Sequence, residues 1–399
     1  MDNSSLPYHA LFDILSRTPV NSVCRFRCVS KGWRDLISSP VFAAAHRSGH
    51  GPLLVDAGSF EEEEPVGGRD MRLMDMDGNV VRVIKGAGGY GMMCNTSLDG
   101  LICVNGASCG GVSVVNPATG EVLVTCPQVD VVDREAFPFA VIRYYTIFGF
   151  GHAVPSGEYK MVRVLDDDTC EILTLGDDRG WRKAHALPKV QPCSRRGSPV
   201  TINGIMYFLV ECNNHSLLCF DLESEQWKPD VLEGPRKFVG VDMWRKTTAI
   251  RITELNGSLC MVQPVCGDIH GYNDEPDDPV TNIWILDNSD KRTWIKAYTL
   301  PMAPTACRYM PLRVMHGGRK LLLHCSFDEG RSLVLQIYDL PTNMCTDIVG
   351  APPNLAGRMG LCSFHLDKPV SAKNLLGRFL DQAFLFFGNY IASKKKLRN

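Results

Sequence analysis

Asn203-Gly204-Ile205-Met206-Tyr207-Phe208, followed by LLCFDLESEQW over residues 217–227, holds the unit that decides the fold. An Asn-Gly pair opens a short apolar run, and such pairs favour the primed turns that match strand twist. A second apolar run then ends in an acidic turn and a tryptophan. Working outward, the same shape recurs. Asp99-Gly100-Leu101-Ile102-Cys103-Val104 and Asn256-Gly257-Ser258-Leu259-Cys260-Met261 copy the first half, and Gly317-Gly318 before KLLLHC is a looser copy. VSVVNPATGEV, NIWILDNSDKRTW and LQIYDLPTNMC copy the second half, and GEYKMVRVL with CEILTLGDDRGW is a variant pair. Turn glycines fall at 100, 157, 204, 257 and 318, steps of roughly 50–60 residues, near the kelch-type period. Trp181, Trp227 and Trp294 recur after the second strand of their units. A large aromatic there is expected between neighbouring four-stranded sheets, the propeller arrangement. Over residues 49–370 we expect about six blades by this period. Five or seven blades, or a pair of sandwiches, are the alternatives.

The chain has 399 residues, 22% charged and 45% hydrophobic, with a formal charge of −2. That balance is globular and excludes both a basic nucleic-acid coat and a polyacidic disordered chain. The average conceals unlike parts. Residues 1–48 carry six basic and three acidic residues, 371–399 carry six and one, and thirty and forty lie between. An acidic middle between basic ends suggests a basic target surface. No basic-then-apolar leader opens the sequence, so secretion is not expected. The sixteen cysteines, with no C-x-x-C pair, then read as reduced thiols, mostly small core residues. The sequons at Asn3, Asn95, Asn214 and Asn256 lose meaning without export. No apolar run is long enough to span a membrane.

The first 48 residues are helical in pattern. Pro7 suits a first turn, and Leu11, Ile14 and Leu15 share a face. Thr18-Pro19 stops that helix. A second helix is expected near Asn21 with Val23, Phe26 and Arg27, and a third behind the N-cap Ser30 with Trp33, Leu36 and Ile37. Ser39-Pro40 precedes a fourth stretch, VFAAAHR. So short a set cannot close a stable core alone, so its spare apolar surface must meet the rest of the chain or a partner.

The order of these residues, LPYHALFDILSRTPVNSVCRFRCVSKGWRDLISSPVFAAAH over 6–46, resembles the F-box of plant F-box proteins. Tyr8-His9 stand where that family usually has an acidic pair, and Thr18 where it has Leu. SLDGLICV, VVNPATGEV, FGFGHAVPSGEYKMVRVL, CEILTLGDDRGWRKA and FDLESEQW are similar to the F-box-associated domain found behind plant F-boxes. The resemblance implies an α+β multidomain chain. It has a small three-helix F-box (1–48), an all-β, kelch-like propeller (49–370) and a helical tail (371–399). It also implies a partner, the Skp-type adaptor, and through it cullin and RING subunits. The adaptor-binding positions carried over are Leu6, Pro7, Leu11, Ile14, Leu15, Pro19, Val20, Val29 and Trp33. For Leu15 and Val20, a role in holding the helices together carries equal weight. The propeller would bind an unidentified protein for ubiquitination. The rival reading is a ubiquitin-independent interaction module with its F-box docked internally.

No catalytic residue, cofactor or metal is expected, nor a nucleic-acid partner or integral membrane association. Gly106-Ala107-Ser108-Cys109-Gly110 matches the nucleophile elbow, but a strand pattern rather than a helix follows it. Gly86-Ala87-Gly88-Gly89-Tyr90-Gly91 lacks the Lys and helix of a phosphate loop. His152, His185, His215, His270, His316, His324 and His365 show no metal spacing. The acidic stretches at 61–64, 166–168 and 273–278 read as solvated loop tips. In the tail, Leu376, Phe379, Leu380, Ala383, Phe384, Phe387 and Ile391 form a helical stripe before a basic end. It is expected to dock on the propeller or the F-box junction, with nuclear import or membrane-surface binding as alternatives. A cytoplasmic or nuclear location is expected.

Overall fold

Primed turns set the strand spacing where the sequence has Asn-Gly. Asn203 and Gly204 take φ of 49° and 78°, and Asn256 and Gly257 take 51° and 81°. Each pair joins two strands across a two-residue loop, with Ile202 opposite Ile205 and Leu255 opposite Ser258. Positive φ at both central residues defines the type I′ turn. The other expected turn glycines, Gly100, Gly157 and Gly318, also have positive φ.

In the computed structural model the described residues are 7–18, 20–39, 41–42, 45–46, 53–56, 69–75, 79–88, 100–105, 112–117, 119–126, 147–165, 169–177, 179–184, 188, 199–210, 216–235, 250–265, 279–287, 292–303, 306–327, 332–348 and 360–362. Three helices come first, α1 (Tyr8–Ser16), α2 (Val20–Phe26) and α3 (Lys31–Ile37). Six antiparallel sheets follow. Blade 1 holds β1 (Leu53–Asp56), β2 (Met71–Met74) and β3 (Val80–Ile84). Blade 2 holds β4 (Ile102–Asn105), β5 (Val112–Asn116) and β6 (Glu121–Cys126). Blade 3 holds β7 (Ile147–His152), β8 (Tyr159–Val164), β9 (Cys170–Thr174) and β10 (Arg182–Lys183). Blade 4 holds β11 (Val200–Ile202), β12 (Ile205–Leu209), β13 (Leu217–Asp221) and β14 (Gln226–Trp227). Blade 5 holds β15 (Arg251–Leu255), β16 (Ser258–Val265), β17 (Val280–Leu286) and β18 (Trp294–Pro301). Blade 6 holds β19 (Ala306–Met315), β20 (Lys320–Phe327), β21 (Ser332–Asp339) and β22 (Met344–Asp347). A last strand, β23 (Gly360–Cys362), returns to blade 1 and pairs antiparallel with β1, Leu54 opposite Leu361.

First strands approach one another, β7 with β11, β11 with β15 and β15 with β19, so they line the inside of the ring. Burial explains the arrangement. Each sheet has two apolar faces, and each interface between neighbours is one hydrophobic cluster. Ile84 meets Ile102 between blades 1 and 2, and Val114 meets Phe148 between blades 2 and 3. Ile172 meets Phe220, Leu209 meets Ile252, and Ile283 meets Leu323 at the next three. Leu54 and Met74 meet Leu322 and Leu335 between blades 1 and 6, which closes the circle. The expected six blades are therefore present, and closing the ring leaves their outer strands as the remaining edges. Trp181, Trp227 and Trp294 each pack on the cluster between their own blade and the one before, as the repeat predicts.

Two glycines in β7 have a spatial reason. A Cβ on Gly149 would lie 2.3 Å from the Met206 sulfur, and one on Gly151 would lie 2.5 Å from Thr201 Oγ1. Blade 4 approaches too closely there for any side chain. Polar groups bridge the same interface. The Lys160 ammonium donates to the Leu222 carbonyl at 2.8 Å and lies 2.9 Å from Glu225, which also pairs with Arg182.

The elbow-like motif at 106–110, the acidic stretches at 61–64, 166–168 and 273–278, His185, His215, His270, His365 and the whole tail at 371–399 lie outside the described residues. Gly86 and Gly88 belong to a turn tied back to its neighbours, through Gly86 N–H to Asp70 Oδ1 at 3.1 Å and Gly88 N–H to Arg69 O at 2.7 Å. Among the described residues no group of His, Cys, Asp and Glu could hold a metal ion. No helix among them is long and apolar enough to cross a membrane.

Candidate functional site

The helical module has its own small core. Leu15, Val23, Leu36, Ile37 and Phe42 are buried together, with Leu11, Phe12, Phe26 and Trp33 partly buried against them. Aromatic edges lock the packing. Phe12 meets Phe42 at 5.3 Å and 82°, and Phe26 meets Trp33 at 5.6 Å and 89°, the edge-to-face geometry aromatic pairs prefer.

Local chemistry starts and stops each helix. Pro7 sits at the N-cap of α1, its carbonyl accepting from the N–H groups of Ala10 and Leu11 at 3.0 Å. Thr18 follows the end of α1, its hydroxyl donating to Ile14 O at 2.8 Å. Ser30 caps α3, its hydroxyl accepting from Trp33 N–H at 3.1 Å, which satisfies one orphan donor of the first turn. Helical backbone recurs at 41–42 and 45–46. There the buried His46 meets Thr18 O through Nε2 at 2.8 Å. This histidine ties the fourth stretch to the end of α1, and no periodic signal pointed to it.

Apolar side chains remain exposed on the module. Ile14 is 52% exposed and Val29 60% exposed, and Tyr8 and Val41 are exposed too. Of the residues assigned to adaptor binding from sequence, Ile14, Val29 and Pro7 lie on the surface. Leu11 and Trp33 divide between core and surface. Leu15 is 1% exposed, so its side chain holds the helices together rather than offering contact area. Val20 opens α2, with its side chain outside the described residues, as are Leu6 and Pro19 entirely. Tyr8 and Val41 were not singled out by sequence for this face. Their signal was available, since apolar residues flanked an already complete apolar stripe.

Four buried cysteines of the propeller are held as neutral thiols. Burial pushes the Cys170 thiol up to about 12 and Cys219 to about 11, and raises Cys260 and Cys325 further. A thiol held neutral in this way is a poor nucleophile. These residues pack as small hydrophobes, as the sequence reading expects.

Known proteins share both halves. The family described as F-box domain matches residues 3–43, and the F-box associated beta propeller domain matches residues 81–350. The ring seen here reaches beyond that second match, from Leu53 to Cys362. The Arabidopsis thaliana F-box protein At1g11270 is 26% identical over 280 residues, covering 64% of this chain and 86% of its own. The F-box/kelch-repeat protein At2g43445 of the same plant is 24% identical, covering 73% of this chain and 66% of its own. A third Arabidopsis thaliana chain, At3g52320, is 25% identical over 392 residues, 88% of this chain and 89% of its own. Among solved structures, a chain of the nidogen/laminin complex aligns with a TM-score of 0.41 at 11% identity, over 79% of this chain and 100% of that one. The propeller family spans more than half of the sequence and the F-box family nearly all of the helical module, so this chain belongs to the F-box proteins that carry an F-box associated beta propeller domain.

Proposed function

We propose that the protein is the substrate-recognition subunit of an SCF-type E3 ubiquitin ligase. The F-box binds the Skp-type adaptor, which joins it to cullin and RING subunits, and the propeller holds the target. The supporting observation is the combination of a finished internal core with a surplus apolar face. Ile14 and Val29 stay exposed although Leu15, Leu36, Ile37 and Phe42 already fill the module. A face of that kind is what a partner covers, with a few apolar anchors carrying most of the energy. The chain itself contributes proximity and no covalent chemistry. Holding target and loaded ubiquitin in one assembly makes the transfer effectively intramolecular. The complex works in the cytoplasm, the nucleus or both.

The test places charge on the face and leaves the core alone. Ile14→Glu and Val29→Glu are expected to weaken capture of a Skp-type adaptor at least tenfold each, about 1.4 kcal/mol or more. Unchanged capture by both variants overturns the proposal.

A further inference from the structure

A groove of about 1320 Å³ runs along the outer side of the interface between blades 4 and 5. Its cause is a mismatch in strand length. The outer strand of blade 4, β14, has two residues, whereas β18 of blade 5 has eight. The chain leaves β14 and returns beside β13, where Leu217 and Leu232 exchange backbone bonds of 2.8 and 2.9 Å. The space that a longer β14 would fill stays open. Tyr207 and Cys219 line it from blade 4, Trp284, Trp294 and Lys296 from blade 5, and Lys228 from the short return.

The aromatic wall is fixed in place. The pairing of β17 with β18 shifts register at Ile283/Trp284, so that Trp284 stands opposite Lys296. Such bulges re-aim side chains. The Trp284 N–H donates to Gln263 Oε1 at 3.3 Å, and the Trp294 N–H to Glu233 O at 2.9 Å. Both indoles are therefore tethered by their polar edges and present their rings. Tyr207 is only 9% exposed, and burial pushes its phenol up to about 12, so the hydroxyl is a proton donor at neutral pH. No hydrogen-bond partner for it exists among the described residues, and it lines the groove.

The lining carries Lys228, Arg292 and Lys296 against Asp230 and Glu233, an excess of one positive charge. Arg292 and Asp230 face each other at 3.7 Å and offset one another. The Lys296 ammonium lies 5.9 Å from the Trp284 ring centre. Lys228 and Lys296 are exposed and have no carboxylate partner among the described residues. The propeller is acidic on average, yet this groove is not.

We propose that this groove seats an extended, acidic segment of the target protein. One apolar side chain lies against the Trp284 ring, a peptide carbonyl accepts from the Tyr207 hydroxyl, and flanking carboxylates meet Lys228 and Lys296. The inference deepens the substrate-receptor reading and rests on it. Extended peptides bind grooves in this way, with aromatic platforms giving affinity and matched charge giving selectivity. It differs from the expectation of a basic target, because the charge at the groove, and not the average, meets the ligand.

The experiment selects ten-residue peptides from a random display library on the immobilised full-length chain. A synthetic peptide of the selected consensus is then titrated against the variants. The expected consensus is an aromatic or aliphatic residue flanked by Asp or Glu. Its affinity falls at least tenfold in Trp284→Ala and in the double variant Lys228→Glu with Lys296→Glu. The double variant changes only exposed residues, so it stays informative if Trp284→Ala fails to fold. A basic consensus, no consensus, or equal affinity for the double variant overturns the proposal. So does tighter binding of a labelled oligouridine than of the peptide, since tryptophan and lysine also suit single-stranded RNA. Adaptor capture by the same preparations separates the two readings. Retained capture with failed selection sinks the groove alone, and lost capture with groove-dependent selection sinks the ligase reading alone.

Discussion

Replacing Lys160 with methionine removes one ammonium from the seam between blades 3 and 4 and keeps most of the stem. The side chain is 4% exposed. It leaves β8, donates to the Leu222 carbonyl at 2.8 Å, and lies 2.9 Å from Glu225 and 3.3 Å from Glu158. Three consequences set the magnitude. The Leu222 carbonyl loses a charged donor, worth about 1.5–3 kcal/mol. Stranding one member of a buried ion pair costs about 3–5 kcal/mol. Glu225, however, is 26% exposed and keeps Arg182, so its charge is not stranded and that larger cost does not apply. The expected loss is about 2 kcal/mol, the carbonyl term with little added. The assay is equilibrium urea unfolding followed by tryptophan fluorescence, with reversibility checked by refolding. Trp227 reports locally, because it packs against Phe208 and Phe220 at the same seam. A double-mutant cycle with Glu225→Gln should show coupling of about 1 kcal/mol or more. A variant as stable as the parent, or zero coupling, refutes the reasoning. It would mean that methionine packing compensates fully for the lost ion.

Gly151→Ala should destabilise by about 2 kcal/mol through overpacking, since its Cβ would lie 2.6 Å from Leu222 Cδ1; an unchanged urea midpoint refutes this. Ellman's reagent at pH 8 should label the exposed Cys28 and spare Cys103, Cys170, Cys219, Cys260 and Cys325 until urea is added. Cys170 and Cys219 set a pH dependence. Their native values are raised by burial, so the stability of the neutral form is fully present below the ordinary value of 9.0 and is lost as pH rises towards about 11 and 12. The urea midpoint should hold from pH 7 to 8 and fall above 9, whereas a rise there refutes the sign. Trp33→Ala should weaken adaptor capture by roughly 2 kcal/mol if it is an anchor. Circular dichroism must accompany it, because Trp33 also packs on Phe26.

The repeat was legible because hairpins are local. An Asn-Gly pair needs no distant partner to show what backbone it takes, and the tryptophans after each second strand marked the interfaces correctly. Features that depend on contacts between blades were not legible. Lys160 sits in GEYKMVRVL as an ordinary polar residue of an alternating strand. Its burial comes from blade 4, whose turn supplies Leu222 and Glu225. Leu15 and Ile14 share one apolar stripe, and only the packing of α2 and α3 decides that one faces in and the other out. The groove was invisible for the same reason. It arises from the relative lengths of β14 and β18, and strand ends are the least determined part of a sequence pattern.

The return of β23 to β1 has a consequence for how the protein is made. Synthesis runs from the F-box end, so the helices and blades emerge in order while β1 waits for a partner encoded about three hundred residues later. Until residues 360–362 leave the ribosome, the inner edge of blade 1 remains open. Open edges and late long-range contacts are where chains aggregate or recruit chaperones. A chain released before that point therefore carries a complete helical module and an unclosed ring.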